Sequence, residues 1–405
     1  MRLAVVSPFV DRQHGTERAL AELLVRLARD YQCEVHLYAQ RVADLAVTPS
    51  TGSFPEKRSG IFWHKVPAVL GPQLVQFLSW FYLNRLWRWM DRFLRHASFD
   101  LVLSPGINCV DADVVFVHVL FHRLRELVRE DGGEPAVGAS FLRRLHRRAY
   151  YKLLVRFEQR IYSNRRVTLA AVSRRTAELL AKHFGRQDVP VIPNGVDALQ
   201  FSPAARLGRR EAARARRGFQ PGELVLLLVG NDWMNKGLPT VLEALSGLGG
   251  VPARLLIVGD DAAAPFREKA RRLGVEGRCT WEPAAADILD AYAAADVYVS
   301  PSFEDSFGMP VAEAMACGLP VITSILAGVS SLLHDGVDSF ILRDPRDAKK
   351  FAELIGELYE QEDLRTRLGE AAAKASAEWT WDRNAAAAWE LLKRVSAEKL
   401  GCADE

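Results

Sequence analysis

Apolar residues along this chain fall in short runs separated by segments of helical period. "RLAVVSP" is an apolar run of strand length. In "ERALAELLVRLARD", which follows, Leu20, Leu23, Leu24 and Leu27 stand at i, i+3, i+4 and i+7, one face of a helix. "EVHLYAQ" is the next strand and completes a βαβ unit, and "DLVLSPG", "DVVFVHV", "VTLAAVS" and a closing "VPVIPNGV" extend the series. Strands that alternate with helices predict a parallel sheet covered on both faces.

Between Ala198 and Glu223 the pattern lapses into "ALQFSPAARLGRREAARARRGFQPGE", rich in Arg, Ala, Gly and Pro, which reads as a linker. A second series follows, with strands "LVLLLVG", "ARLLIVGD", "CTWEP", "DVYVSPS", "LPVITS" and "SFILRD", and helices such as "GLPTVLEALSGL" and "PVAEAMACG". After Asp347 the chain is helical and ends in "WDRNAAAAWELLKRVSAEKL". The expected organisation is α/β with two doubly wound, Rossmann-like domains. They comprise residues 1–197, a linker 198–222, residues 223–380, and a final helical segment 381–405. In such a pair the ligand is expected in a cleft where the carboxyl ends of the two sheets face each other.

A length of 405 residues agrees, because one hydrophobic core seldom keeps growing to that size. Hydrophobic residues at 49% and charged ones at 25% describe a soluble globular chain and exclude a disordered one. The net charge of +3 hides a split: residues 1–200 hold 29 Lys/Arg against 19 Asp/Glu, and residues 201–405 hold 24 against 31. The basic half suits phosphate or an anionic surface. Cys33, Cys109, Cys279, Cys317 and Cys402 are odd in number and far apart, which argues against a disulfide framework or a zinc site and for a reducing compartment. "MRLAVVSPFV" runs straight into charged "DRQHGTER", so it reads as a first strand rather than a leader. No 18-residue run lacks charged or strongly polar residues, which argues against a membrane span.

Candidate chemistry concentrates in "SPSFEDSFGMPVAEAMACGLPVI", Ser300 to Ile322. A strand ends here, Pro310 suits the first turn of a helix, and Gly318 suits its end. The intervening loop and helix N-terminus form an anion site, while Glu304, Asp305 and Glu313 are acceptors suited to the paired hydroxyls of a sugar or ribose. Two carboxylates gripping two polyol parts, with an anionic group between them, describe a sugar nucleotide. The same acids could equally cap the helix.

This segment resembles the signature of retaining GT-B glycosyltransferases of family 4, an acid and a glutamate eight positions apart before an "EAMACGLPVI"-like run. The match is Asp305 to Glu313, where many members begin with glutamate; Glu304 directly precedes it, which leaves open which acid reaches the donor. The resemblance implies that the first acid and the backbone of Phe307, Gly308 and Met309 contact the sugar and diphosphate, and that Glu313 holds the ribose. "VGNDWMNKGLPTVLEAL" is similar to the family's diphosphate-binding loop, with Lys236 as the binding lysine. Asn231 stands where many relatives carry an arginine.

In the first domain, "HGTER" resembles the family's Gly-rich turn, with Gly15 allowing close approach and Thr16 a plausible N-cap. His118, at the end of "DVVFVHV", matches the histidine that touches the donor sugar, with His122 as second choice. The implied activity is transfer of a sugar, with retention, from a UDP- or GDP-sugar to a hydroxyl acceptor, lipid-linked or of polysaccharide or lipopolysaccharide type. The resemblance of "WTWDRNAAAAWELL" to the family's last helix implies that 381–405 packs back on the first domain, and the implied site needs no metal and no further cofactor. A non-catalytic sugar-nucleotide scaffold and a sugar-nucleotide epimerase are the alternatives.

Arg85, Arg88, Arg92 and Arg95 recur in an aromatic helix, and Arg144, Arg148, Lys152, Arg156 and Arg160 form a second stripe. Basic stripes beside Trp, Phe and Leu suit an anionic membrane surface, and no nucleic-acid motif accompanies them. The expected location is cytoplasmic and peripheral to the membrane's inner face.

Overall fold

The structure, a computed structural model, describes residues 1–49, 59–130, 141–284 and 287–401, with backbone only at 128–130, 141–145 and 147. Cys402 and the side chain of Arg144 lie outside the described residues. The chain forms two compact units: residues 1–193 with 381–405, and residues 194–380.

The first unit holds strands β1 (Arg2–Val6), β2 (Phe9–Val10), β3 (Glu34–Ala39), β4 (Arg41–Val42), β5 (Thr48–Pro49), β6 (Gly60–Lys65), β7 (Leu101–Ser104), β8 (Val114–Val117) and β9 (Thr168–Ala171). Its described helices are α1 (Gly15–Arg29), α2 (Gln73–Leu94), α3 (Phe121–Glu130), α4 (Phe141–Tyr162) and α5 (Arg174–Phe184). The main sheet runs β5-β6-β3-β1-β7-β8-β9, all pairs parallel. The chain winds outward from β1 to β6, returns, and winds the other way from β7, so the switch point lies between β1 and β7.

The second unit begins with α6 (Pro203–Arg217) and alternates β10 (Leu224–Val229), α7 (Leu238–Gly247), β11 (Ala253–Val258), α8 (Ala263–Arg272), β12 (Cys279–Glu282), α9 (Leu289–Ala294), β13 (Val297–Ser300), α10 (Met309–Ala316), β14 (Val321–Ser324) and β15 (Phe340–Leu342). Helices α11 (Ala348–Glu360) and α12 (Glu362–Ser376) complete it. The order β12-β11-β10-β13-β14-β15 is again parallel throughout, with its switch point between β10 and β13.

The final helix, α13 (Trp381–Gly401), belongs to the first unit. Leu391 and Leu392 join the same core as Leu20, Leu24 and Leu27 of α1. Trp389 stacks on Tyr31 with ring centroids 5.1 Å apart. Removing one such buried leucine side chain costs about 2–5 kcal/mol.

Four expectations are corrected. Residues 198–222 are no linker, because α6 occupies most of the stretch. Ser202 caps it, accepting from the N–H of Ala205, and Gly218 ends it at φ +68°. Its arginines are fastened to the surrounding unit: Arg206 donates to the Cys317 carbonyl, Arg210 to the Ala295 carbonyl, and Arg217 forms a two-bond pair with the Glu282 carboxylate. Alanine and arginine favour helix, and here the composition served α6 rather than flexibility. "VPVIPNGV" makes isolated bridges at Val191 and Val196 instead of a strand, since Pro190 and Pro193 remove two ladder donors. Helix α1 starts at Gly15 with His14 as N-cap, so Thr16 lies inside its first turn. Asp11 serves the turn, accepting from the N–H groups of Gln13 and His14. Finally, Arg88 is not part of a solvated basic stripe: it is buried and bonds both carboxylate oxygens of Asp111 at 2.8 and 2.9 Å.

Under α2 runs a buried polar chain. Glu34 pairs with His36 Nε2 at 2.9 Å, His36 Nδ1 meets His64 Nε2 at 2.8 Å, and His64 Nδ1 meets Asp91 at 2.9 Å. Tyr38 donates to Asp91 at 2.7 Å. Burial lowers the pKa of His36 to about 4, so the folded ring is neutral at pH 7. The unfolded ring takes its proton near pH 6.5. The associated stability is present above that pH and is lost as pH falls toward 4, at up to about 1.4 kcal/mol per pH unit. In urea melts from pH 6.5 to 4, His36→Gln should show a shallower loss of stability than wild type. Parallel slopes would contradict a neutral His36.

Candidate functional site

The two strands beside the second switch point, β10 and β13, each end in a loop carrying candidate residues. After β10, Gly230 adopts φ +132°, and a Cβ there would lie 3.0 Å from Lys236 Cε. Its bare backbone therefore leaves room for the lysine stem. The turn that follows is closed by Lys236 N–H to the Asp232 carbonyl and Leu238 N–H to the Trp233 carbonyl. Asn235 docks this turn on the β13 loop: its side chain donates to the Glu304 carbonyl at 2.7 Å, and its own carbonyl accepts from Phe303 N–H.

Docking sets Lys236 Nζ 2.5 Å from Asp305 Oδ2, both side chains being largely buried. The pair joins the two sequence motifs through one charge-assisted contact. Asp305 also accepts from Phe307 N–H, and its backbone bonds to Leu326 and Gly328 beyond β14. Glu304 is half-buried and contributes its carbonyl to the docking. Of the two adjacent acids, Asp305 is the one that meets the lysine.

Gly308 is the N-cap of α10 in the left-handed region, φ +96°, and buried Phe307 and Met309 flank it. Glu313 lies one turn into α10, buried, and accepts from the Tyr292 hydroxyl at 2.8 Å. Burial first, and the Glu313 charge second, push the Tyr292 pKa well above its ordinary value, so that hydroxyl stays a donor. Tyr292 was not visible as a partner in sequence because 21 positions separate it from Glu313; its place in an apolar helix before β13 was the only signal.

Asn231 is exposed and engages the neighbouring loop through its side-chain oxygen. Its Oδ1 accepts from Asp260 N–H at 2.7 Å and ties the β10 loop to the β11 loop. Beside that tie lies a cavity of about 610 Å³ whose walls include Trp233, Asp260, Asp261, Arg267, Trp281 and Pro283. The indole N–H groups of Trp233 and Trp281 are buried with no hydrogen-bond partner, and the two rings are 5.4 Å apart. Sequence reading passed over this cavity, although "VGDD" directly after a βα-series strand places two acids at its carboxyl end.

In the first unit, His118 follows β8, is buried, and has its pKa lowered by burial to about 4, so the ring is neutral. His122 is held at the start of α3 by Glu158, 2.5 Å away, which also accepts from the N–H groups of Phe121 and His122. Gly15 opens α1 after the switch-point strand β1.

Paired parallel α/β units of this topology define the GT-B class, which the structural likenesses bear out. The lipopolysaccharide-biosynthesis glycosyltransferase WaaG aligns with TM-score 0.76 and 20% identity over 96% of this chain and 99% of its own. Anabaena HepE in complex with UDP and glucose aligns with TM-score 0.69 and 17% identity over 97% and 100%. Residues 14–198 match the family described as Glycosyltransferase Family 4, and residues 209–375 match Glycosyl transferases group 1. The chain belongs to this glycosyltransferase family. The D-inositol 3-phosphate glycosyltransferase of Xylanimonas cellulosilytica is 31% identical over 57% of this chain and 58% of its own length. That of Streptomyces bingchenggensis is 34% identical over 54% and 51%. The chain thus spans about half the length of these curated relatives.

The site geometry depends on Gly237, which has φ +78°; a Cβ there would lie 2.2 Å from the Pro301 carbonyl oxygen. Gly222, at φ +85° with no atom within 4 Å, isolates the backbone strain alone. Gly222→Ala should cost about 1–2 kcal/mol, and Gly237→Ala clearly more, through the added backbone clash. Thermal melts compare them, and equal losses would remove the close approach as a constraint.

Proposed function

We propose that the protein transfers a sugar from a nucleotide-diphosphate sugar to a hydroxyl acceptor, with retention of anomeric configuration. The observation that carries this reading is the Lys236–Asp305 pair at the switch point, in the loop that leads into α10 and its buried Glu313. A cation there stabilises the charge that grows on a departing diphosphate. Asp305, with Glu304, accepts from sugar hydroxyls, and Glu313, oriented by Tyr292, accepts from ribose hydroxyls. The adjoining cavity, with Trp233, Trp281 and Arg267 among its walls, suits the nucleobase.

In the proposed step the acceptor oxygen bonds to the anomeric carbon as the carbon–oxygen bond to the diphosphate breaks. The hydroxyl proton passes to a phosphate oxygen. The chain's residues position the donor and stabilise charge, and the reading invokes no metal. His118, neutral at pH 7, is suited to a hydrogen bond with a sugar hydroxyl rather than to an ionic role. Its part, and those of Gly15 and Thr16, rest on family likeness.

UDP or GDP as the donor nucleotide and a lipid-linked or polysaccharide acceptor are the finer form of the reading. Support comes from HepE, whose structure holds UDP and glucose, and from WaaG, which acts in lipopolysaccharide biosynthesis.

With radiolabelled UDP- and GDP-sugars and mixed acceptors, Lys236→Ala should lower kcat/KM by about 100-fold or more. Glu313→Gln should weaken nucleotide binding in calorimetry by about tenfold. Wild-type turnover in both variants would sink the assignments. Tight donor binding without transfer to any acceptor would instead favour a binding-only protein.

A further inference from the structure

Helix α2 is amphipathic in the inverted sense. The face turned into the first unit carries Asn84, Arg88 and Asp91 beside Trp80 and Phe81, while the solvent face carries Val75, Tyr82, Leu86, Trp89 and Phe93. Those five recur at steps of 7, 4, 3 and 4, within a narrow arc at 100° per residue. Tyr82 and Phe93 are each 65% exposed and Trp89 is 56% exposed. Trp89 and Phe93 stack nearly parallel, centroids 5.4 Å apart. Leu94 widens the apolar face, and Leu70, 94% exposed, extends it just before the helix.

An apolar stripe of this kind on a monomer needs an occupant. The charges choose among them. Arg85 and Arg92 are exposed on one flank of the stripe, whereas Asp91, the helix's one acid, is turned inward to His64, Tyr38 and Arg95. The spacing alone would suit a second copy of α2, but two such faces would bring guanidinium groups together with no exposed acid on either helix. An anionic lipid surface satisfies both features, with headgroup phosphates for the arginines and the acyl boundary for the rings. Among the described residues no helix is long and apolar enough to cross a membrane, so the contact would be along the helix rather than through it.

We infer that α2 is a docking surface for anionic lipid, lying in the interfacial plane with Trp89 and Phe93 inserted and Arg85 and Arg92 on headgroup phosphates. The inference stands apart from the transfer reading and requires no turnover to test. The full chain is sedimented with vesicles of phosphatidylcholine alone, or with about a third phosphatidylglycerol. Wild type should bind the anionic vesicles at least about tenfold more tightly, less so as salt rises. Trp89→Glu with Phe93→Glu should remove at least about 90% of that binding while melting like wild type, since both rings are exposed. Arg85→Gln with Arg92→Gln should abolish the preference for anionic over neutral vesicles. Equal binding to both vesicle types, or undiminished binding by the Glu variant, overturns the inference. So does light scattering that shows a wild-type dimer split by the Glu variant, because the stripe would then belong to a second copy.

Discussion

The C-terminal site depends on one close approach, the Trp233–Gly237 turn lying against the end of β13 with no side chain between Gly237 and the Pro301 carbonyl. Two hydrogen bonds through Asn235 keep it there. This contact converts two motifs nearly 70 positions apart into one charged pair at 2.5 Å. A parallel sheet makes that economical, because every strand delivers its following loop to the same edge. The strand order reverses between β10 and β13, the kind of place where doubly wound sheets bind their ligands.

Much of the alternating architecture was legible, because fully buried parallel strands announce themselves as unbroken apolar runs. All six strands of the second sheet fall in stretches that read as strands, although edge strand β12, "CTWE", is only half-buried and not an apolar run. Strand β6, "GIFWHK", did not read as one, since histidine and lysine break it and its pairing to β3 buries a histidine that only the structure explains. Helix α6 was mistaken for a linker through composition, although its Ser-Pro start and glycine end were there to be read. At the site, Lys236, Asp305 and Glu313 were legible from their motifs. Tyr292, Asn235 and the Trp233–Trp281 wall were not, because their partners come from other strands' loops.

The arginines of α2 show why spacing and burial must be separated. Arg85, Arg88, Arg92 and Arg95 do share a flank, but that flank straddles the boundary between core and solvent. Arg88, one step further round, meets Asp111 and Asn84 and becomes part of the fold. A buried pair of this kind is weak evidence for net stability and stronger evidence for a specified orientation. With Asp91 held by His64 and Tyr38, it pins the helix so that its aromatic stripe points outward. A helix free to roll about its axis would bury that stripe instead.

The charge split between the halves also acquires a different meaning. Composition suggested that the basic half would face phosphate, yet the lysine proposed for the diphosphate lies in the half with an excess of acids. Net charge acts over distances comparable to the Debye length, about 8–10 Å in physiological salt, and its effect fades beyond that. Across the 2.5 Å of the Lys236–Asp305 contact, local placement decides. Acids elsewhere in that unit are also engaged locally: Asp296 meets Arg210 and Arg214, and both Glu282 and Asp290 meet Arg217. Those pairs fix α6 against the sheet, and since each joins one acid to one base they leave the net charge of the unit unchanged. The basic excess of the N-terminal half is the charge that the lipid contact inferred for α2 would use, rather than the charge that meets a single diphosphate.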